Sequence, residues 1–158
     1  MLNERGTYAL LFSCAASERV QIGALGVLQL APGWLIYVGS AFGAGGLRAR
    51  LRHHLCSQAA PHWHLDYARP YLSPCQAWIT TAVQPLEHAW AAACQALPGA
   101  AIPLRRFGAS DCACPAHLFF YPHKPSFSQF LALLNQSHAG QGASQALEIG
   151  ENWCPQNS

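Results

Sequence analysis

Arg50 and His54 stand four residues apart, the spacing that stacks two side chains on one face of a helix. An arginine fork grips phosphate or carboxylate through paired N–H donors, and an imidazole takes or gives a proton near neutral pH. Together they could project into one site, while Arg48 and Arg52 on the other side of the helix reach solvent or phosphate. Two tyrosines sit near glycines, in Gly6-Thr7-Tyr8 and Tyr37-Val38-Gly39. A phenol works as a base only where neighbours bring its pKa down from about 10. Carboxylates are scarce: Asp66, Glu87 and Asp111 are the acidic residues between Arg19 and Glu148. Glu87 falls in the first turn of a helix opened by Pro85, where a negative charge also simply complements the helix dipole.

Three further groups have two readings each. Cys112, Cys114 and His117 suggest zinc, but the gap between the cysteines is tighter than the usual two to four residues and the sequence offers no obvious fourth ligand. Buried thiols in a tight turn fit that spacing better. His62, His64 and Asp66 alternate, which puts them on one face if extended, either near a phosphate or tying a loop down. Arg105 and Arg106 beside Phe107 can grip a nucleic-acid backbone or stack on a base, or form a solvated pair.

Which elements would hold these residues? Thr7 to Ser13 and Val20 to Leu30 are rich in aliphatics and read as strands, and Trp34 to Gly39 as another after a Pro32-Gly33 turn. Short links favour antiparallel pairing. Ser40 to Gly46 is a glycine-rich loop leading into a helix over Leu47 to Cys56, where Leu47, Leu51 and Leu55 form the buried stripe. Arg50 and His54 lie beside that stripe, where a helix edge borders a cleft. A strand over Cys75 to Val83, a helix from Pro85 to Leu97 and a short strand over His117 to Tyr121 follow. Ser126 caps a last helix with Phe127, Phe130, Leu131 and Leu134 at helical spacing. The expected architecture is α+β: one domain over residues 1–136 with a small, mostly antiparallel sheet flanked by helices, then a flexible tail over 137–158.

Composition narrows the class. Of 158 residues, 51% are hydrophobic and only 10% charged, against about 25% in ordinary domains. Five Trp, five Tyr and seven Phe in a charge-poor chain exclude a disordered protein. Val20 to Leu47 carries no charge, yet its seven glycines and Pro32 break any spanning helix. Ala9 to Ala16 imitates a signal peptide, but Glu4 cancels Arg5 and removes the required positive end. Seven cysteines, an odd number, point to reduced thiols rather than a disulfide framework. The expectation is a cytoplasmic protein with no membrane span. Net charge is only +2, but the segment between Arg19 and Glu148 holds seven basic and three acidic residues.

In order along the chain, Gly6-Thr7-Tyr8, Tyr37-Val38-Gly39 and the Arg50-Leu51-Arg52-His53-His54 helix resemble the GIY-YIG nuclease superfamily. Further along, His62-Trp63-His64-Leu65-Asp66-Tyr67 and Phe107-Gly108-Ala109-Ser110-Asp111-Cys112-Ala113-Cys114 resemble its small stand-alone Uri-type branch. The resemblance spans roughly Gly6 to Tyr121. It implies a metal-dependent endonuclease hydrolysing DNA phosphodiester bonds, with Tyr8 taking a proton from water and Tyr37 competing with or orienting it. Arg50 would hold the phosphate, His54 the water or a tyrosine, and Glu87 a single Mg²⁺ or Mn²⁺. Where many relatives carry a supporting asparagine this chain has Ser110-Asp111, so no role passes to Asp111. The alternatives are a non-catalytic nucleic-acid-binding or DNA-repair accessory module with the same fold, and a zinc-stabilised interaction module built on Cys112, Cys114 and His117.

Overall fold

The computed structural model describes residues 2–56, 60–137, 142–150 and 153–154. β1 (Gly6–Cys14) is its central strand, and its side chains alternate between two faces. Tyr8, Leu10 and Phe12 join one buried cluster, Ala9 and Leu11 another. Both faces of the sheet are therefore covered. This is why β1 and β4 (Gly33–Ala41) read as continuous apolar runs rather than as a polar–apolar alternation. It also accounts for the scarcity of charge.

The main sheet has five antiparallel strands in the order β6-β4-β1-β5-β7. Here β5 is Ser73–Thr80, β6 is Leu118–Tyr121 and β7 is Ser144–Glu148. β2 (Glu18–Ile22) and β3 (Gly26–Leu30) form a separate antiparallel hairpin. The apolar run from Val20 to Leu30 is thus two strands, because Gly23 at φ +47° turns the chain.

One face of the sheet is covered by α1 (Gly46–Cys56), α2 (His64–Ala68) and the hairpin. α3 (Glu87–Ala96) and α4 (Phe127–Gln136) cover the other, through Trp90, Cys94, Phe130 and Leu134 against Leu11, Val38 and Trp78. The expected stripe of α1 is buried as Leu47, Leu51 and Leu55. Its first N–H groups find backbone carbonyls near the chain start, Leu47 to Glu4 and Arg48 to Leu2. Arg69, in a 3₁₀ turn at Arg69–Tyr71, donates to the carbonyls of His54 and Leu55 and so closes the other end. Ser126 caps α4 by accepting from the Gln129 N–H.

Three expectations are corrected. His62 to Asp66 is not extended: His64 opens α2, and the Asp66 carboxylate accepts the N–H groups of His62 and Trp63 at the helix start. Nor is 137–158 wholly a tail, because Ser144–Glu148 pairs with β5 and covers an edge that would otherwise be open. The rest of that segment, apart from residues 137, 142–143, 149–150 and 153–154, lies outside the described residues. Finally, Cys56 and Cys154 form a disulfide across 98 residues, while Cys14, Cys75, Cys94, Cys112 and Cys114 are free. Among the described residues no helix is long and apolar enough to cross a membrane.

Candidate functional site

β1 and β4 run antiparallel with Tyr8 opposite Gly39 and Leu10 opposite Tyr37. Because side chains alternate along a strand, both tyrosines fall on the α1 face, their ring centroids 6.5 Å apart. The glycines of the two triplets have steric reasons. A Cβ on Gly39 would overlap the Tyr8 phenol, and one on Gly6 would overlap the Thr80 carbonyl of β5. The middle residue of the first triplet, Thr7, points to the opposite face and accepts the Leu86 N–H with its Oγ1. That bond ties the start of α3, and with it Glu87, to the strand that carries Tyr8.

α1 brings His54 over both phenols. The Tyr8 hydroxyl and His54 Nε2 are 2.9 Å apart, and both residues are almost fully enclosed. Burial lowers the His54 pKa, which the facing Asp66 carboxylate only partly offsets. Burial also raises the Tyr8 pKa well above the usual tyrosine range, as it does for Tyr37. A neutral phenol beside a neutral imidazole assigns the proton: Tyr8 donates and Nε2 accepts. His54 Nδ1 faces Asp66 Oδ1 at 3.8 Å. The Tyr37 ring meets His54 edge-on, 5.5 Å between centroids. Among the described residues the Tyr37 hydroxyl has no hydrogen-bond partner.

Arg50, one turn earlier, stacks its guanidinium 4.3 Å above the Trp63 ring. The pair borders a cleft of about 250 Å³ together with Gly43, Ala44 and His53. The charge of Arg50 lowers the pKa of both tyrosines and that of Glu87 raises it, so these four side chains share one electrostatic neighbourhood. Glu87 stands in the first turn of α3, its Oε1 2.8 Å from His117 Nδ1. Burial alone would raise its pKa; the neighbouring His117 and Ser40 side chains outweigh that and lower it. Tyr8, Tyr37 and His54 pack together with Arg50 one helical turn away, and the Thr7–Leu86 bond brings the start of α3, with Glu87, to the same end of the sheet.

A family model described as a domain of unknown function, DUF123, matches residues 7–139 of this chain. The chain belongs to the DUF123 family. No curated protein and no solved structure matches it.

The DUF123 match covers every residue of the convergent group, while β7 and Cys154 lie beyond it. Within the domain the remaining predicted residues divide. Arg48, Arg52 and Arg105 are exposed, and so is His62. Arg106 is turned inward: at φ +70° it donates to the carbonyls of Ser110, Cys112 and Cys114, so it braces its own loop instead of reaching a nucleic acid. His64 Nδ1 accepts the Gly108 N–H at 2.8 Å and ties that loop to α2. Burial lowers its pKa, in keeping with a neutral acceptor.

Among the described residues, two groups of side chains in the DUF123 domain have metal-ligand chemistry: His53 with His54 and Asp66, and His88 with Cys112, Cys114 and His117. In the first, Asp66 is filled by donors and His54 Nε2 by Tyr8. Ser40, Trp63 and His88 were not apparent from the sequence, since each acts through a partner on a different element. Asp66 had a usable signal, an acidic residue three positions after Trp63, the N-cap of α2.

Proposed function

We propose that this chain is a metal-dependent endonuclease of the GIY-YIG type, resembling the Uri branch, that hydrolyses DNA phosphodiester bonds. The observation that carries the reading is the convergence of the Tyr8–His54 hydrogen bond with Arg50 and Glu87 at one end of the sheet. The residues present fit a divalent cation: Glu87 is partly exposed, its pKa is lowered, and among the described residues His117 and Ser40 are the side chains that lower it most. Mg²⁺ or Mn²⁺ held there supplies charge neutralisation at the phosphate and lowers the pKa of water.

The protein's own groups then divide the proton work. A neutral phenol accepts a proton only while giving one away. Tyr8 has an acceptor for its proton in His54 Nε2, and among the described residues Tyr37 has none. Tyr8 thus relays: the water proton passes to its oxygen as its own proton passes to Nε2, and Asp66 faces the imidazolium that forms. Tyr37, with its hydroxyl uncommitted, donates to the water or a phosphate oxygen. Arg50 grips the phosphate. Because Tyr8 is 1% exposed, side chains around it must give way for water to reach its oxygen.

That same enclosure favours a second reading, a non-catalytic DNA-binding module that retains the fold. The two separate cleanly. Purified chain is incubated with single-stranded, duplex and branched DNA and Mg²⁺ or Mn²⁺. The endonuclease reading expects cleavage that stops with EDTA or Glu87→Ala and falls about 10²-fold or more with Tyr8→Phe. No cleavage of any substrate, or full activity of Glu87→Ala, overturns it. The second reading expects salt-dependent binding that Tyr8→Phe leaves unchanged.

A further inference from the structure

We propose that Cys112, Cys114, His117 and His88 form a zinc site, and that His117, held by that metal, positions Glu87. Sequence spacing offers three ligands from one loop; the fold supplies the fourth from α3. One donor atom from each of the four residues lies within 4.8 Å of all the others. Tetrahedral zinc with bonds of about 2.0–2.3 Å sets its donors roughly 3.3–3.8 Å apart. Cys112 Sγ and His117 Nε2 are already at 3.6 Å. Two thiolates and two imidazoles are a donor set that suits zinc, and a closed set of four suits a structural ion.

His117 supplies an independent observation. It is 1% exposed, and its two ring nitrogens face different partners: Nδ1 the Glu87 carboxylate at 2.8 Å, Nε2 the Cys112 sulfur. A carboxylate 2.8 Å from Nδ1 favours the proton there and leaves the Nε2 lone pair free, the arrangement by which histidine ligands of zinc are held and oriented. The competing reading, buried thiols packed in a tight turn, does not describe these cysteines, since Cys112 and Cys114 are both partly exposed. His88 is exposed, and among the described residues its ring makes no hydrogen bond, only a tilted contact with the His117 ring. It is free to turn onto the ion. Arg106 meanwhile holds the carbonyls of both cysteines.

The consequence for Glu87 rests on the reading of that residue as the Mg²⁺ ligand; zinc binding itself does not. With Nε2 on the metal, His117 can act toward Glu87 only as an Nδ1–H donor. One carboxylate oxygen is then pinned, and the other is left for the second cation. His117 and His88 are positioning residues in this scheme, since neither touches the substrate.

The full chain, expressed with added zinc and purified without chelator, is assayed by elemental analysis. We expect about one zinc per chain, a fall to below half in Cys112→Ser and in His88→Ala, and no fall in Glu87→Gln. Less than one-tenth zinc per chain in the wild type overturns the site, as does full zinc content in a chain carrying both Cys112→Ser and Cys114→Ser. Should the cysteine variants fail to fold, Co²⁺ added to the zinc-stripped wild type reports instead. Intense visible bands of tetrahedral cobalt with a thiolate charge-transfer band support the site; the weak spectrum of six-coordinate cobalt overturns it. For the link to Glu87, His88→Ala should raise the Mg²⁺ concentration for half-maximal cleavage about tenfold, the scale of an outer-shell loss, while cleavage at saturating Mg²⁺ changes less. An unchanged Mg²⁺ requirement overturns the positioning role and leaves the zinc result standing. If no DNA is cleaved, the endonuclease reading and with it the positioning role fail, and the zinc content still decides the site.

Discussion

Asp66 and Glu87 are both carboxylates facing histidines, and they are filled to very different degrees. Oδ2 of Asp66 accepts from the backbone N–H groups of His62 and Trp63, and His53 Nε2 lies within 3.1 Å of both its oxygens. His54 faces its Oδ1. Burial would raise its pKa, but these donors hold it far below the usual carboxylate range. Glu87 has His117 and Ser40 and no backbone donor among the described residues. A carboxylate has about four lone-pair positions, so Asp66 has little left for a cation and Glu87 keeps some. The difference separates a carboxylate that organises the fold and faces His54 from one that has room for a cation.

The largest expected effect tests the available member. Glu87→Gln keeps the side-chain shape and a hydrogen-bond partner for His117 while removing the charge. Cleavage should fall about 10³-fold or more, roughly 4 kcal/mol of transition-state stabilisation. Stability should fall by about 1 kcal/mol or less, since the amide keeps a partner for His117. The second effect tests the saturated member. Asp66→Asn removes an acceptor from several donors at once, and urea unfolding should show a loss of about 2–3 kcal/mol. If the two variants exchange these outcomes, with Asp66→Asn folded and inactive and Glu87→Gln merely unstable, the comparison is wrong.

Much of what positions these carboxylates was legible in the sequence, for identifiable reasons. Leu47, Leu51 and Leu55 repeat at helical spacing, so α1 and the side on which Arg50 and His54 stand follow from periodicity. Ser126 announces α4 because a hydroxyl cap is a local device. What failed was non-local or disguised. Alternation of His62, His64 and Asp66 looked like a strand, because a period of two over five residues does not exclude a helix start capped from within. β7 looked like tail because an edge strand tolerates Ser144 and Gln145, the residues that also fill loops. The pairing of Cys56 with Cys154, and the approach of His88 to Cys112, depend on chain paths that no spacing encodes.

A third variant tests the space that β4 leaves for Tyr8. Gly39→Ala places a methyl group where the phenol lies. Overpacking of this kind costs about 1–2 kcal/mol, and the ring can relieve it only by turning away from His54. The variant should therefore lose stability moderately and lose cleavage more than its stability loss explains. Retained cleavage at full rate would mean that the Tyr8–His54 bond is not used in the reaction.

The smallest effect is a shape rather than a loss. Burial holds the folded His54 and His64 below the ordinary histidine value of about 6.5, which the unfolded chain retains. As pH falls through 6.5 the unfolded chain takes up protons that the folded chain refuses, so stability falls with pH in that window. Asp66 and Glu87 are also lowered, from about 4, so their contribution is complete above that value and is lost only as pH drops through their folded pKa. Urea midpoints between pH 8 and pH 3 should thus descend in two steps, histidines first. His54→Gln should flatten the upper step and spare the lower. Within the lower step Asp66→Asn should remove more than Glu87→Gln, since more donors stabilise the ionised Asp66. An upper step of full height in a chain carrying both His54→Gln and His64→Gln would assign it to other groups. Equal lower steps in the two carboxylate variants would show that Glu87 is as fully committed to the fold as Asp66.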